Sequence, residues 1–220
     1  MKILDREIKA IIFDLDGTLI DSSNVWVKVD TQFFNSRGME IPPTYVDDIA
    51  HIGLKEAAMV TKEKYNIKES IEEIMEEWKQ SSINQYKYEI PLKPHAYEYL
   101  LKLKENNIKL AIATANSKEY YEPCLKRLKV FDFFDVIADV NEVNAGKNSV
   151  KLYKYVADKL NENIENIAVF EDISVGLKTA YENGFLSIAV YDDHSSKEDD
   201  LKKKYSHLFI YDFKVDCTTQ

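Results

Sequence analysis

Between residues 96 and 210 the chain alternates amphipathic stretches rich in helix formers with short, continuously apolar runs. Residues 96–106, 118–128, 149–160 and 175–183 read as helices, with Gly184 placed to end the last of them as its C′ residue. Residues 108–113, 136–138, 167–170, 186–190 and 208–210 read as strands. These runs lack polar alternation, so both of their faces need cover. Such strands, separated by helices, specify a doubly wound parallel sheet of Rossmann-like α/β type. One further strand stands far upstream, at residues 8–13. There Ile11, Ile12 and Phe13 are stopped by the turn Asp14-Leu15-Asp16-Gly17-Thr18.

The block between these strand signals looks helical throughout. Val25, Val29 and Phe33 recur at helical spacing, and Ile71, Ile74, Met75 and Trp78 share one helix face. Ile41-Pro42-Pro43 interrupts the block, and Pro91 and Pro94 bracket its exit. The expectation is an α/β core from residues 1–18 and 94–220, carrying an inserted α-helical domain over 19–93. A length of 220 residues suits such an arrangement.

The formal net charge of −9 argues against nucleic acid as a partner, because a phosphate backbone would be repelled. A small phosphorylated metabolite is not excluded, since local cations override the global sign. Cys124 and Cys217 show no metal-ligand spacing and no disulfide framework, which fits a reducing cytoplasm. Charges interrupt the N-terminal apolar stretch too early for a signal peptide, and no apolar run approaches membrane-spanning length. The run 192–204 is dense in charge and reads as a solvated loop and helix face.

Ligands of doubly wound sheets sit beyond the carboxyl ends of the strands. At those ends stand Asp14 and Asp16, then Thr114 and Asn116, then Glu171 and Asp172. Lys147 follows Gly146 just ahead of a helix. Four converging carboxylates would repel one another unless a hard cation lies among them. Magnesium prefers oxygen ligands and keeps positions for a substrate phosphate. Of two carboxylates two residues apart, one can attack phosphorus while the other moves the proton. Taken singly, each element has an ordinary reading as acidic turn, helix N-terminal charge, strand-end hydroxyl or solvated lysine.

Together they resemble the haloacid dehalogenase-like (HAD) phosphatase superfamily. Asp14-Leu15-Asp16-Gly17-Thr18-Leu19-Ile20-Asp21-Ser22 is similar to its first motif and Ala113-Thr114-Ala115-Asn116-Ser117 to its second. Gly146-Lys147 is similar to the third, and Phe170-Glu171-Asp172-Ile173-Ser174-Val175-Gly176 to the fourth. The fourth takes the form seen in the branch containing phosphoglycolate phosphatase and β-phosphoglucomutase, which carries a small α-helical cap. The resemblance implies Asp14 as nucleophile and Asp16 as acid/base. It implies magnesium held by Asp14, the backbone carbonyl of Asp16 and Asp172, with Glu171 binding directly or through water. It assigns Thr114, Asn116 and Lys147 to the phosphoryl group. His51 and Lys55 lie where relatives carry a substrate-contacting loop. The family's prolines and aspartate after the lysine are replaced by Asn148, Ser149, Val150 and Lys151. That makes Ser149 the expected helix N-cap and Lys151 the fallback cation.

A phosphatase of small phosphate monoesters is the leading expectation, and a phosphomutase sharing the four motifs is the close alternative. A receiver-type signalling module would place its phosphoacceptor on a middle strand and lack the helical insert. A catalytically idle binding protein would not need the intact acidic set.

Overall fold

A short hairpin, β1 (Lys2–Ile3) and β2 (Arg6–Glu7), precedes the first core strand, β3 (Ala10–Phe13). The helices α1 (Val25–Asn35), α2 (Tyr45–Ile49), α3 (Leu54–Lys64) and α4 (Ile71–Tyr88) follow. The α/β alternation then runs α5 (Ala96–Glu105), β4 (Lys109–Thr114), α6 (Lys118–Arg127), β5 (Val136–Asp139), α7 (Val140–Val143) and α8 (Lys151–Leu160). It closes with β6 (Ile167–Glu171), α9 (Ser174–Glu182), β7 (Leu186–Val190), α10 (Asp199–Lys204) and β8 (Leu208–Ile210). This computed structural model describes residues 1–50 and 52–214, so Cys217 and His51 lie outside the described residues.

The six core strands are parallel, in the order β5-β4-β3-β6-β7-β8. The chain winds outward from β3 through β4 to β5, then returns to β6 on the other side of β3. The crevice at that reversal, beyond the strand ends, is where a doubly wound sheet presents its ligand site. β3 is buried along its whole length. Ala10 and Ile12 pack on one face with Leu152, Tyr153, Val156 and Phe185. On the other face Phe13 meets Phe170 and Tyr99 at centroid distances of 4.9 and 6.4 Å. Helix α9 ends at Gly184, whose φ of +88° suits glycine. Gly184 N donates to Tyr181 O and Phe185 N to Ala180 O, the Schellman pairing.

The chain divides into two compact units, residues 24–89 and the remainder. Residues 19–23 and 90–93 group with the α/β unit rather than with the helices. Ile20 bridges Leu92, Asp21 N donates to Pro91 O and Lys93 N donates to Leu19 O.

The helical unit has an aromatic core. Phe34 contacts Tyr45 at 4.8 Å and Phe33 contacts Trp78 at 5.6 Å, both edge-on. α4 starts with a reciprocal capping box between Ser70 and Glu73. Arg37 lies 3.8 Å over the Phe33 ring and pairs with Glu69 and Glu77. Buried in this core is Asp30, hydrogen-bonded to Tyr45. Burial pushes its carboxyl up from 3.8 to about 6, against the opposing Tyr45 bond. A carboxyl with a raised folded pKa binds its proton more tightly in the folded state. The associated stability is therefore present below about 3.8 and lost as pH rises towards 6. Asp30→Asn keeps the shape and removes the charge. It is expected to raise stability near neutral pH by about 1–2 kcal/mol after allowance for screening, and to change little at about pH 4. Chemical denaturation at the two pH values checks this.

No helix among the described residues is long and apolar enough to cross a membrane.

Candidate active site

Parallel register brings the first and fourth motifs level. Phe13 pairs with Phe170 across β3 and β6, so the next residues, Asp14 and Glu171, stand side by side at the sheet's carboxyl edge. Asp14 N donates to Phe170 O at 2.9 Å, which continues the ladder one step past the strand. Asp172 follows, and one carboxylate oxygen from each of Asp14, Glu171 and Asp172 lies within 4.8 Å of the others. All three side chains are buried, at 2, 0 and 6% exposure.

Local chain geometry makes this possible. Gly17 has a φ of +78°, and a Cβ there would stand 2.4 Å from Asp172 Oδ2. Only glycine lets the β3 turn pass so close to a carboxylate. Thr18, fully buried, places its Oγ1 3.1 Å from both Asp14 Oδ2 and Asp172 Oδ1. Gly176 does for Glu171 what Gly17 does for Asp172: a Cβ would lie 2.4 Å from Glu171 Oε1.

Lys147 supplies the positive charge. Its ammonium pairs with Asp14 Oδ1 and, at 2.7 Å, with Glu171 Oε1. Burial works against the charge, but the two carboxylates more than offset it and hold the ammonium above its ordinary range. Glu171 moves the other way from an ordinary acid. Burial is the main cause, and the neighbouring Asp14 charge adds to it. With Lys147 and Tyr153 pulling back, it settles at about 7. Asp172 is raised well above the usual carboxylate range by burial first, then by Asp14 and Glu171. The Lys147 ammonium alone does not neutralise three buried carboxylates, and Glu171 Oε2 is buried without a hydrogen-bond partner among the described residues. Hard oxygen donors, surplus negative charge and an orphaned carboxylate oxygen fit a divalent cation.

The second motif stands beside this cluster. Thr114 ends β4, fully buried, and its Oγ1 accepts from Asn116 N at 3.0 Å. Asn116 Nδ2 donates to Asp16 Oδ2 at 2.6 Å. Of the four carboxylates expected to converge, three therefore do. The Asp16 side chain is turned to Asn116, because the Gly17 turn breaks the strand geometry that would have aligned it with Asp14. Asn116 is correspondingly engaged in holding Asp16.

Ser149 as the N-cap and a solvated run at 192–204 are corrected. α8 begins at Lys151 with Val150 as N-cap, and Ser149 makes only a 3.4 Å contact from Lys151 N. Lys151 is exposed, and Lys147 fills the cationic position. Lys55 lies exposed in the first turn of α3 in the helical unit. The run 192–204 is not uniformly solvated: Asp192 is 3% exposed and Lys202 fully buried. Asp192 pairs with Lys93 at 2.5 Å.

Two site residues escape a sequence reading. Tyr153 looks like packing on α8, yet its hydroxyl donates to Glu171 Oε1 at 2.9 Å. Its place six residues after Lys147, on the buried face of an amphipathic helix, is the only signal, and that signal does not reveal the hydroxyl's target. Ser195, in the charged run, donates to the backbone carbonyl of Asp172 at 2.8 Å.

Residues 11–190 match the family model for haloacid dehalogenase-like hydrolases. The chain is similar to the phosphorylated carbohydrates phosphatase of Thermotoga maritima, 27% identical over 177 residues that cover 80% of this chain and 82% of that one. It is 26% identical over 182 residues to hexitol phosphatase B of Escherichia coli, covering 78% of each. Among solved structures, a β-phosphoglucomutase from Clostridium difficile superposes with a TM-score of 0.65 at 24% identity, over 94% of this chain and 92% of that one. A Thermotoga maritima protein provisionally called a β-phosphoglucomutase reaches 0.83 at 24% identity, over 92% and 94% of the two chains. From sheet order, strand-end motifs and family match together, the chain belongs to the haloacid dehalogenase-like hydrolase family.

Proposed function

We propose that this chain is a magnesium-dependent phosphatase of small phosphorylated carbohydrates, working through a phosphoryl group carried briefly on Asp14. The observation that carries the reading is the buried triad of Asp14, Glu171 and Asp172 paired with the ammonium of Lys147. The substrate class rests on the similarity to the phosphorylated carbohydrates phosphatase and hexitol phosphatase B.

Asp14, Glu171 and Asp172 would hold the magnesium ion, with the Asp16 carbonyl as a further oxygen donor. When bound, the ion withdraws charge from the phosphoryl oxygens, so that an anionic nucleophile can approach an anionic ester. The chain's own groups do the rest. An Asp14 oxygen attacks phosphorus as the ester oxygen departs. Asp16, fixed through Asn116, gives its proton to that leaving oxygen. Asp16 then takes a proton from the water that attacks phosphorus, which releases inorganic phosphate and restores Asp14. Thr114 accepts from Asn116 N, which leaves its own hydroxyl proton for a phosphoryl oxygen. Lys147 sits against Asp14 and can also reach the transferring group.

Phosphate release from a panel of hexose and hexitol phosphates, with magnesium and with EDTA, tests this. Magnesium-dependent release from at least one of them is expected. Interconversion of sugar phosphates with no free phosphate would identify a mutase instead. A stable phosphoprotein formed from acetyl phosphate without turnover would point to a signalling module.

A further inference from the structure

Lys202 lies on α10, outside all four motifs, and has no exposed surface. Its ammonium pairs with Asp199 Oδ1 at 2.6 Å and sits 5.8 and 5.6 Å from the Tyr191 and Phe209 ring centres. It also donates to Ser195 Oγ at 3.2 Å. Ser195 in turn has two carbonyls within reach, Asp172 O at 2.8 Å and Asp192 O at 3.4 Å. An ammonium can only donate. Ser195 Oγ must therefore accept from Lys202, and its single proton must go to a carbonyl, of which Asp172 O is the nearer. Burying a charged lysine is costly, and an apolar side chain would fill the same volume without that penalty. What an apolar side chain cannot do is orient the Ser195 proton.

The same loop grips the chain on the far side of Ile173, where Ser174 N donates to Glu198 Oε2 at 3.0 Å. From the opposite direction Thr18 reaches Asp172 Oδ1, and Gly17 leaves the carboxylate no spare room. The Asp172 side chain thus sits in a slot whose alignment is set by its own backbone.

We propose that Lys202 and Ser195 are positioning residues for Asp172, acting through its backbone carbonyl to aim its carboxylate at the cation. The inference rests on the reading of Asp172 as a ligand for a divalent cation. Neither residue touches that ligand position. Each acts through the peptide group behind it, as outer-shell partners of metal ligands do.

Calorimetric titration of the full chain with magnesium chloride, paired with thermal unfolding in EDTA, tests the proposal. Ser195→Ala and Lys202→Met are each expected to weaken magnesium binding about 10-fold. The double variant is expected to be no weaker than the worse single one, because both changes break the same relay. Ser195→Thr retains the hydroxyl and is expected to bind as the unaltered chain does. If the folded single variants bind magnesium normally and only unfold at lower temperature, the proposal is overturned and the loop is merely structural. Should Lys202→Met fail to fold, Ser195→Ala and its rescue by threonine decide. Magnesium binding that is absent from the unaltered chain, or unchanged in Asp172→Asn, would instead remove the cation reading and the proposal with it.

Discussion

Asp14→Asn is expected to lower kcat by at least about 10⁴-fold on any substrate the chain turns over, because the nucleophile is lost and no neighbour replaces it. Glu171 is tied to Lys147 and Tyr153, and Asp16 is held by Asn116. Neither is free to move onto the line of attack. The substitution should leave the fold intact. Asparagine matches the volume of aspartate, and one of three mutually repelling buried carboxylates loses its charge. Unfolding in EDTA should therefore show a stability equal to or above that of the unaltered chain, even as activity disappears. Substantial residual turnover, dependent on magnesium, would move the nucleophile to another residue. Steady-state kinetics with p-nitrophenyl phosphate reads the first quantity and chemical denaturation the second.

Lys147→Met is expected to damage both activity and stability. It leaves Asp14 and Glu171, at 2 and 0% exposure, without their counter-ion. Stranding buried charge in this way costs about 3–5 kcal/mol. The loss should depend on pH, and its sign follows from Glu171. That carboxyl already stands at about 7, above its ordinary 4.5, and Lys147 is the charge that pulls it down. A raised carboxyl favours the folded state below about 4.5, and that contribution fades as pH climbs towards 7. Asp172 is shifted in the same direction. Metal-free protein should therefore lose stability as pH rises through this window, and magnesium should flatten the slope. Without Lys147 the fall becomes steeper and extends to higher pH. At about pH 5, where Glu171 and Asp172 take up protons, the variant's deficit should be smaller. Denaturation curves in EDTA across this range check the prediction, and a destabilisation independent of pH would contradict it.

Much of the core was legible because its signals are local. The strands at 186–190 and 208–210 fall where the apolar runs lie, and Gly184 ends α9 as its position implied. Asp14, Thr114, Glu171 and Asp172 could be named in advance because parallel strands present their carboxyl ends to one crevice. Whether a polar residue is buried is a different matter. Nothing near Lys202 in sequence marks it off from Lys203 or Lys204. Burial is decided by Tyr191, Phe209 and Asp199 once β7, β8 and α10 have packed. The Tyr153 hydroxyl and the buried Asp30 were hidden for the same reason. Asp16 shows a subtler limit. An alternating strand aligns residues two apart, but β3 ends at Phe13, and in the turn through Gly17 at positive φ the Asp16 side chain meets Asn116 instead.

The most direct test of phosphoryl transfer to Asp14 uses Asp16→Asn, which cannot activate water. p-Nitrophenolate departs without needing an acid, so transfer should proceed while hydrolysis stalls. Rapid mixing with p-nitrophenyl phosphate and magnesium should give a burst of one p-nitrophenolate per active site, with the phosphoryl group located on Asp14 by borohydride reduction of the acyl phosphate to homoserine and peptide mass analysis. Recovery of the group on any other residue, or steady release with neither burst nor phosphoenzyme, would contradict the account.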